Sequence, residues 1–185
     1  MKIGFDLDGV IIDHTENKMI LAKRLGYDLS PQQTQSDEMQ KIIPLEILSR
    51  IQNAIYDDPD IAMSAGLVEG AVESLKILKK DFIPFFIISR RHSPQVAIDL
   101  LKSKFLWPEY FDDSNTFFVS AAEEKNMKSK ELGITHFLDD EKDVIDILTD
   151  VSQRFWFDIF NIFKDGDAYT RVVSWNDFLK KVYGR

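Results

Sequence analysis

Two hydrophobic rhythms alternate along this chain. Short apolar stretches at Ile3-Gly4-Phe5, Phe82 to Ile88, Phe117-Phe118-Val119 and His136-Phe137-Leu138 are separated by segments in which apolar residues recur every third or fourth position. A near-continuous apolar run suits a strand buried on both faces of a parallel sheet, whereas the wider spacing lines one face of a helix. The pattern predicts a first strand over 2–8, a helix over 70–80 with Val72, Leu75 and Leu78 on one face, and a second strand from Phe82 to Ile88. A helix over 94–106, a third strand at Phe117–Val119 and a helix over 123–132 stopped by Gly133 follow. A fourth strand at His136–Leu138, a helix over 142–149 and a fifth strand from Arg154 to Phe160 complete the series, and Ser174 caps a last short helix carrying Phe178, Leu179 and Val182. Strands alternating with helices imply an α/β fold with a doubly wound parallel sheet, in which ligands gather at the carboxyl ends of the strands near the topological switch point.

Residues 13–66 interrupt that alternation. Asp13-His14-Thr15 reads as a helix start, followed by Met19, Ile20, Leu21, Ala22 and Leu25 and a stop at Gly26. Ser30-Pro31 restarts a helix, and Pro44 opens a clearer amphipathic one in which Leu45, Leu48, Ile51 and Ile55 share a face. Asp57-Asp58-Pro59-Asp60 breaks it. The expected organisation is a core built from 1–12 and 67–185, with a small helical insertion over 13–66 placed directly after the first strand.

Composition narrows the class. The chain has 185 residues, 44% of them hydrophobic, enough for one domain with an insertion. A net charge of -8 leaves no basic footprint for nucleic acid. No apolar run approaches the length of a bilayer span, and the first strand begins at once, which leaves no room for a signal peptide on this reading. There is no cysteine, so thiol and disulfide chemistry are excluded, and the cytoplasm is the expected compartment.

The chemistry concentrates at the predicted strand ends. Asp6 and Asp8 are two apart, so on an extended chain they point the same way, and paired carboxylates repel unless a cation or a proton intervenes. Gly9 allows a sharp turn there and leaves space above the strand tip. Ser89 ends the second strand; it can cap the next helix or bind a phosphoryl oxygen. Of the basic residues that follow, Arg90 or Arg91 can give a phosphate a bidentate contact, with His92 a weaker candidate. Asp139-Asp140 ends the fourth strand, where acids also suit a helix N-terminus; Glu141 and Asp143 lie close behind. Lys125, Lys128 and Lys130 are the cations of the preceding helix, Lys125 being nearest its start. The Asp165-Gly166-Asp167 stretch reads as a turn rather than a second acidic site.

Asp6-Leu7-Asp8-Gly9-Val10, Ser89, a helical lysine and Asp139-Asp140 fall in order along nearly the whole chain. Together they resemble the four motifs of the haloacid dehalogenase (HAD) phosphohydrolase superfamily. The helical insertion resembles the small cap of many of its members, and the layout around Gly70-Ala71 and Ser89-Arg90 looks similar to nucleotidases and 5'(3')-deoxyribonucleotidase-like proteins. The resemblance implies an HAD-like, Rossmann-type core and a phosphomonoester hydrolase. In it Asp6 is the nucleophile, Asp8 the general acid and base, and Ser89 and Lys125 hold the phosphate; Arg90, from its place beside that subsite, is expected to join them. Mg²⁺ is the implied cofactor, bound by Asp6, the carbonyl of Asp8, and Asp140, with Asp139 beside it or exchanging that role. A small phosphorylated substrate is expected, a nucleoside monophosphate first and a sugar phosphate or similar ester as the alternative. Tyr27 and Tyr56 can stack on a base or pack against the insertion. A metal-binding interaction module without turnover is the rival from outside enzymology; the retention of every motif residue argues against it.

Overall fold

The computed structural model describes residues 1–164, 166 and 168–184. Six strands form one sheet: β1 (Ile3–Phe5), β4 (Phe85–Arg90), β5 (Thr116–Val119), β6 (His136–Asp139), β7 (Gln153–Phe157) and β8 (Thr170–Val172). Their order is β5-β4-β1-β6-β7-β8, and every pairing is parallel. Ile3 stands opposite both Phe85 and His136, so β1 has a neighbour on each side and all three of its residues are buried. The chain leaves β1 toward β4 and β5, then crosses to β6, β7 and β8, which places the switch point between β1 and β6.

Helices cover both faces, as a parallel sheet demands. Buried residues of α5 (Ala71–Lys80), α6 (Pro94–Ser103) and α9 (Trp175–Val182) join Phe5, Ile87, Phe155 and Phe157 in one core. Val144 and Ile145 of α8 (Lys142–Ile147) join Ile88, Phe137 and Trp156 in the other, with α7 (Ala122–Leu132) packed on the same side. Trp175 anchors the first core: its ring packs 4.9 Å from Phe5, and its Nε1 donates to the buried carbonyl of Val10 at 2.8 Å.

The strand after the lysine-rich end of α5 begins later than the apolar run. Phe82 is 93% exposed with φ 53, in the turn that stops α5, where its backbone N–H donates to Lys79. The run therefore holds a helix stop and a strand, and hydrophobicity alone does not separate them. The fifth predicted strand ends at Phe157, not Phe160, and β8 went unpredicted because its three residues carry no periodic signal. Asp165 and Asp167 of the predicted turn lie outside the described residues.

After β1 the backbone folds back at once: Ile11 and Ile12 both donate to the Leu7 carbonyl, around Gly9 at φ 77. β2 (Ile12–Asp13) then pairs antiparallel with β3 (Gly66–Leu67), Asp13 opposite Gly66. Between these strands lie α1 (Thr15–Arg24), a 3₁₀ turn (Pro31–Thr34), α2 (Ser36–Ile42), α3 (Leu45–Asp57) and α4 (Pro59–Ser64). They bury a cluster of their own, including Ala22, Met39, Leu48 and Ile51. Asp13 precedes α1 rather than starting it; its carboxylate accepts from the Thr15 N–H at 2.8 Å. No helix among the described residues is long and apolar enough to cross a membrane.

Close packing at the centre of the sheet gives a direct test. A Cβ on Gly4 would lie 2.5 Å from a ring carbon of Phe137, well inside van der Waals contact. Gly4→Ala is expected to destabilise the protein by about 1–3 kcal/mol through overpacking, read as a lower urea midpoint with an unchanged slope.

Candidate active site

The site forms because β1 and β6 are neighbours and end together. Asp6 follows β1 and its N–H donates to Leu138 at 3.0 Å; Asp139 is the last residue of β6 and Asp140 is next. One carboxylate oxygen from each of Asp6, Asp139 and Asp140 lies within 4.8 Å of the others, and all three residues are buried. Lys125, on the first turn of α7 and 2% exposed, places its Nζ 2.8 Å from Asp139 Oδ2 and 3.0 Å from Asp6 Oδ1. Lys128 instead meets Glu131 and Lys130 meets Asp150, so Lys125 is the lysine of the α7 trio at the strand ends.

Lys125 thus pairs with two of the three buried carboxylates, Asp6 and Asp139. Burial, reinforced by Asp6 and Glu141, pushes the Asp139 carboxyl up to about 7 despite the opposing Lys125. Burial likewise pushes Asp140 well above the ordinary carboxylate range, with Lys18 opposing and Asp139, Glu141 and Asp6 reinforcing. Burial would lower Lys125, but Asp139 and Asp6 overcome it and raise the ammonium above its usual value. Asp6 Oδ1 is buried and has the Lys125 ammonium 3.0 Å away, without a hydrogen bond of good alignment among the described residues. Gly9 keeps space open: a Cβ there would fall inside the Asp140 carboxylate. Clustered hard oxygen donors with surplus negative charge, and the space kept by Gly9, fit a divalent cation such as Mg²⁺. The Asp8 carboxylate is not among these donors.

Asp8 faces different partners. Its Oδ1 receives Arg91 Nη2 at 2.6 Å and lies 2.8 Å from His14 Nε2. Burial alone would raise the Asp8 carboxyl, but Arg91 and His14 together bring it down to about 2. Arg91 is itself buried; its Nη1 donates to the Tyr56 carbonyl at 3.0 Å, and its guanidinium lies 4.5 Å over the Tyr56 ring.

Ser89 is 1% exposed near the end of β4, opposite Phe118. Arg90 points elsewhere, toward Glu141 at 3.2 Å, with its side chain substantially exposed. Of the two arginines left open by the sequence, Arg91 is the one buried against Asp8. The signal was available: Ser89 and Arg91 are two apart, so a strand persisting through Arg90 turns both the same way. His14 and Lys18 had no such signal. Lys18 reaches the Thr34 carbonyl at 3.1 Å and borders a small cavity shared with Gly9, His14, Gln35 and Asp140. Tyr27 packs against the apolar cluster of the inserted helices, and Tyr56 is taken up by Arg91. His92 is exposed and lines a groove with Arg90 and α3.

The surplus of buried charge fixes the sign of a pH and metal effect. A raised folded-state carboxyl retains its proton between about 3.8 and about 7, whereas the unfolded chain has released it. Metal-free stability is therefore expected to fall as pH rises across that window, and millimolar Mg²⁺ to flatten the slope. Asp140→Asn is expected to raise the metal-free melting temperature by several degrees, from about 1–2 kcal/mol of relieved charge, and to reduce the Mg²⁺-induced shift; thermal melts with and without metal measure both.

No protein-family model matches the sequence, and none of the curated proteins searched is similar to it. Solved structures do match. An HAD family hydrolase from Deinococcus radiodurans R1, with bound phosphate and sodium, superposes with a TM-score of 0.66 at 15% identity, covering 99% of this chain and 95% of that one. An HAD-superfamily hydrolase from Ehrlichia chaffeensis gives 0.62 at 15% identity, with 99% and 96% covered. A subfamily IA, variant 1 hydrolase from Geobacter sulfurreducens PCA gives 0.61 at 18% identity, with 98% and 95% covered. The chain therefore has the Rossmann-like α/β fold of the HAD hydrolases over essentially its whole length.

Proposed function

We propose that this protein is a Mg²⁺-dependent phosphomonoester hydrolase that works through an aspartyl-phosphate. The observation that carries the reading is the division of labour among the carboxylates. Asp6 shares a buried ammonium and two further acids, whereas Asp8, two residues on, is held apart by Arg91 and His14. A hydrolase fold with phosphate bound in the similar Deinococcus structure supports it.

In this mechanism Asp6 attacks phosphorus, the bond to the leaving oxygen breaks, and the phosphoryl group rests on the Asp6 carboxylate. Asp8 protonates the departing oxygen, then takes a proton from the water that opens the acyl phosphate, restoring both residues. In the substrate-free site Arg91 and His14 keep Asp8 ionised, the form needed as a base; an entering phosphate adds negative charge nearby and favours the protonated form needed as an acid. Lys125 offsets charge on Asp6, and Ser89, near the end of β4, holds a phosphoryl oxygen. Arg90 is available to the substrate once it leaves Glu141. Asp6, Asp139 and Asp140 would hold the metal, with the Asp8 carbonyl as a further donor. Bound there, a divalent cation supplies positive charge against the repulsion between nucleophile and phosphate. Residues 13–66 act as a cap over the core formed by 1–12 and 67–185, excluding bulk water from the reaction.

A nucleoside monophosphate is the first substrate of this reading. A sugar phosphate is the second, favoured by a specific feature. The groove of about 370 Å³ beside the site is lined by Ser49, Gln52, Asn53, Arg90, His92 and Ser120, together with Tyr56 and Asp57. Those polar groups suit hydroxyls, while one Tyr56 face is already covered by Arg91. Phosphate release from a panel of both ester types, with and without Mg²⁺, tests the proposal. Asp6→Asn is expected to lower kcat by at least about a thousandfold while leaving the fold intact. Undiminished turnover in that variant would remove Asp6 as nucleophile, and the preferred ester decides between the two substrate classes.

A further inference from the structure

Arg91 is the point at which the inserted helices touch the group that handles protons. Its backbone N–H donates to Val119 at 3.1 Å, so its Cα is fixed to the sheet. Its guanidinium then spans two bodies. Nη2 reaches Asp8 Oδ1 of the core, and Nη1 reaches the Tyr56 carbonyl at the last turn of α3.

That carbonyl has a reason to want a donor. A helix leaves its last four carbonyls without intrahelical partners, and a cation at this end is also favoured by the helix dipole. Here Pro59 has no N–H, and the N–H of Asp60 is taken by the Asp58 side chain at 3.0 Å. Arg91 meets the need of the Tyr56 carbonyl from the core and stacks on the Tyr56 ring as well. The ring reaches Asp8 by a second route: it packs edge-on to His14, with centroids 5.9 Å apart, and His14 contacts the same Oδ1 that Arg91 holds. Both routes begin at Tyr56 and end on one oxygen of Asp8, Oδ1.

We propose that Arg91 is a positioning residue that couples the seating of α3 on the core to the alignment of the Asp8 carboxylate. The catalytic half of this proposal rests on the phosphatase reading; the coupling itself does not. With α3 seated, Arg91 is fixed at both ends and Oδ1 is pinned. With α3 lifted, the guanidinium loses its carbonyl and its ring together, and Asp8 is held by a side chain free to change rotamer. Proton transfer is thereby reserved for the closed form. Arginine is required because one planar fork must serve two acceptors; lysine keeps the charge but not the geometry.

Coupling is reciprocal, so it can be read from either end. The first arm uses hydrogen exchange on the full-length protein without substrate. Asp8→Asn does not alter α3, yet it is expected to speed exchange of amides in residues 45–57 by about tenfold, with α9 unchanged. Arg91→Lys is expected to do the same, and stands in should the first variant fold poorly. Unchanged α3 protection in the folded variants overturns the coupling. The second arm compares an alkyl phosphate, whose leaving oxygen needs a proton, with p-nitrophenyl phosphate, whose leaving group does not. Tyr56→Leu and Arg91→Lys are expected to lower kcat/KM, which reports formation of the aspartyl-phosphate and not its hydrolysis, at least about tenfold more on the alkyl ester than on the aryl ester. Equal losses on both esters overturn the catalytic role. If the wild type hydrolyses neither ester, the phosphatase reading and its catalytic half fail, and the exchange arm alone decides the coupling.

Discussion

The repulsion among carboxylates at the switch point is the constraint on which the rest of the structure depends. Asp6, Asp139 and Asp140 are brought together by the parallel pairing of β1 with β6, in a place too dry for solvent to screen them. A fold maximising its own stability would not assemble them. Lys125 offsets part of the charge, and burial shifts Asp139 and Asp140 upward in response to what remains. The surrounding sheet must therefore supply the stability that this site consumes. It does so with two apolar cores, one on each face, and with aromatic packing in which Trp175, Phe5 and Phe178 meet beneath β1.

Asp8 shows how two identical side chains, two residues apart, acquire different chemistry. The backbone turns at Gly9 directly after it, and the antiparallel pair β2–β3 takes the chain away from the sheet. Asp6 remains beside β6 and its acids. Asp8 is left beside Arg91 and His14, where cationic and hydrogen-bonding partners outweigh burial. The separation of the two carboxylates is an outcome of local topology, and it places the second within reach of the inserted helices.

Much of this was legible before any coordinates. The alternation of apolar runs with helical periodicity located β1, β4, β5, β6 and β7, and the doubly wound sheet followed from their order. Asp6, Ser89, Lys125, Asp139 and Asp140 stood at strand ends or at a helix start because such ends are marked in the chain itself. The errors have common causes. Phe82 belonged to a helix stop although it is as apolar as the strand after it, and β8 was too short to show a period. Choosing between Arg90 and Arg91 required knowing where β4 ends, since a one-residue change reverses which side chain points inward.

The sequence by itself determined the elements, their alternation and the spacing of the paired acids, because hydrophobic period and turn chemistry act between residues close along the chain. Only the tertiary structure decided which charges share a site. Lys125 meets Asp139 across a crossover, and Arg91 meets Asp8 and Tyr56 across 83 and 35 positions. Such contacts depend on which strands become neighbours and on how the inserted helices seat. Electrostatic energy depends on distance and burial in space, so the individual roles of the acids emerge only once the chain has folded.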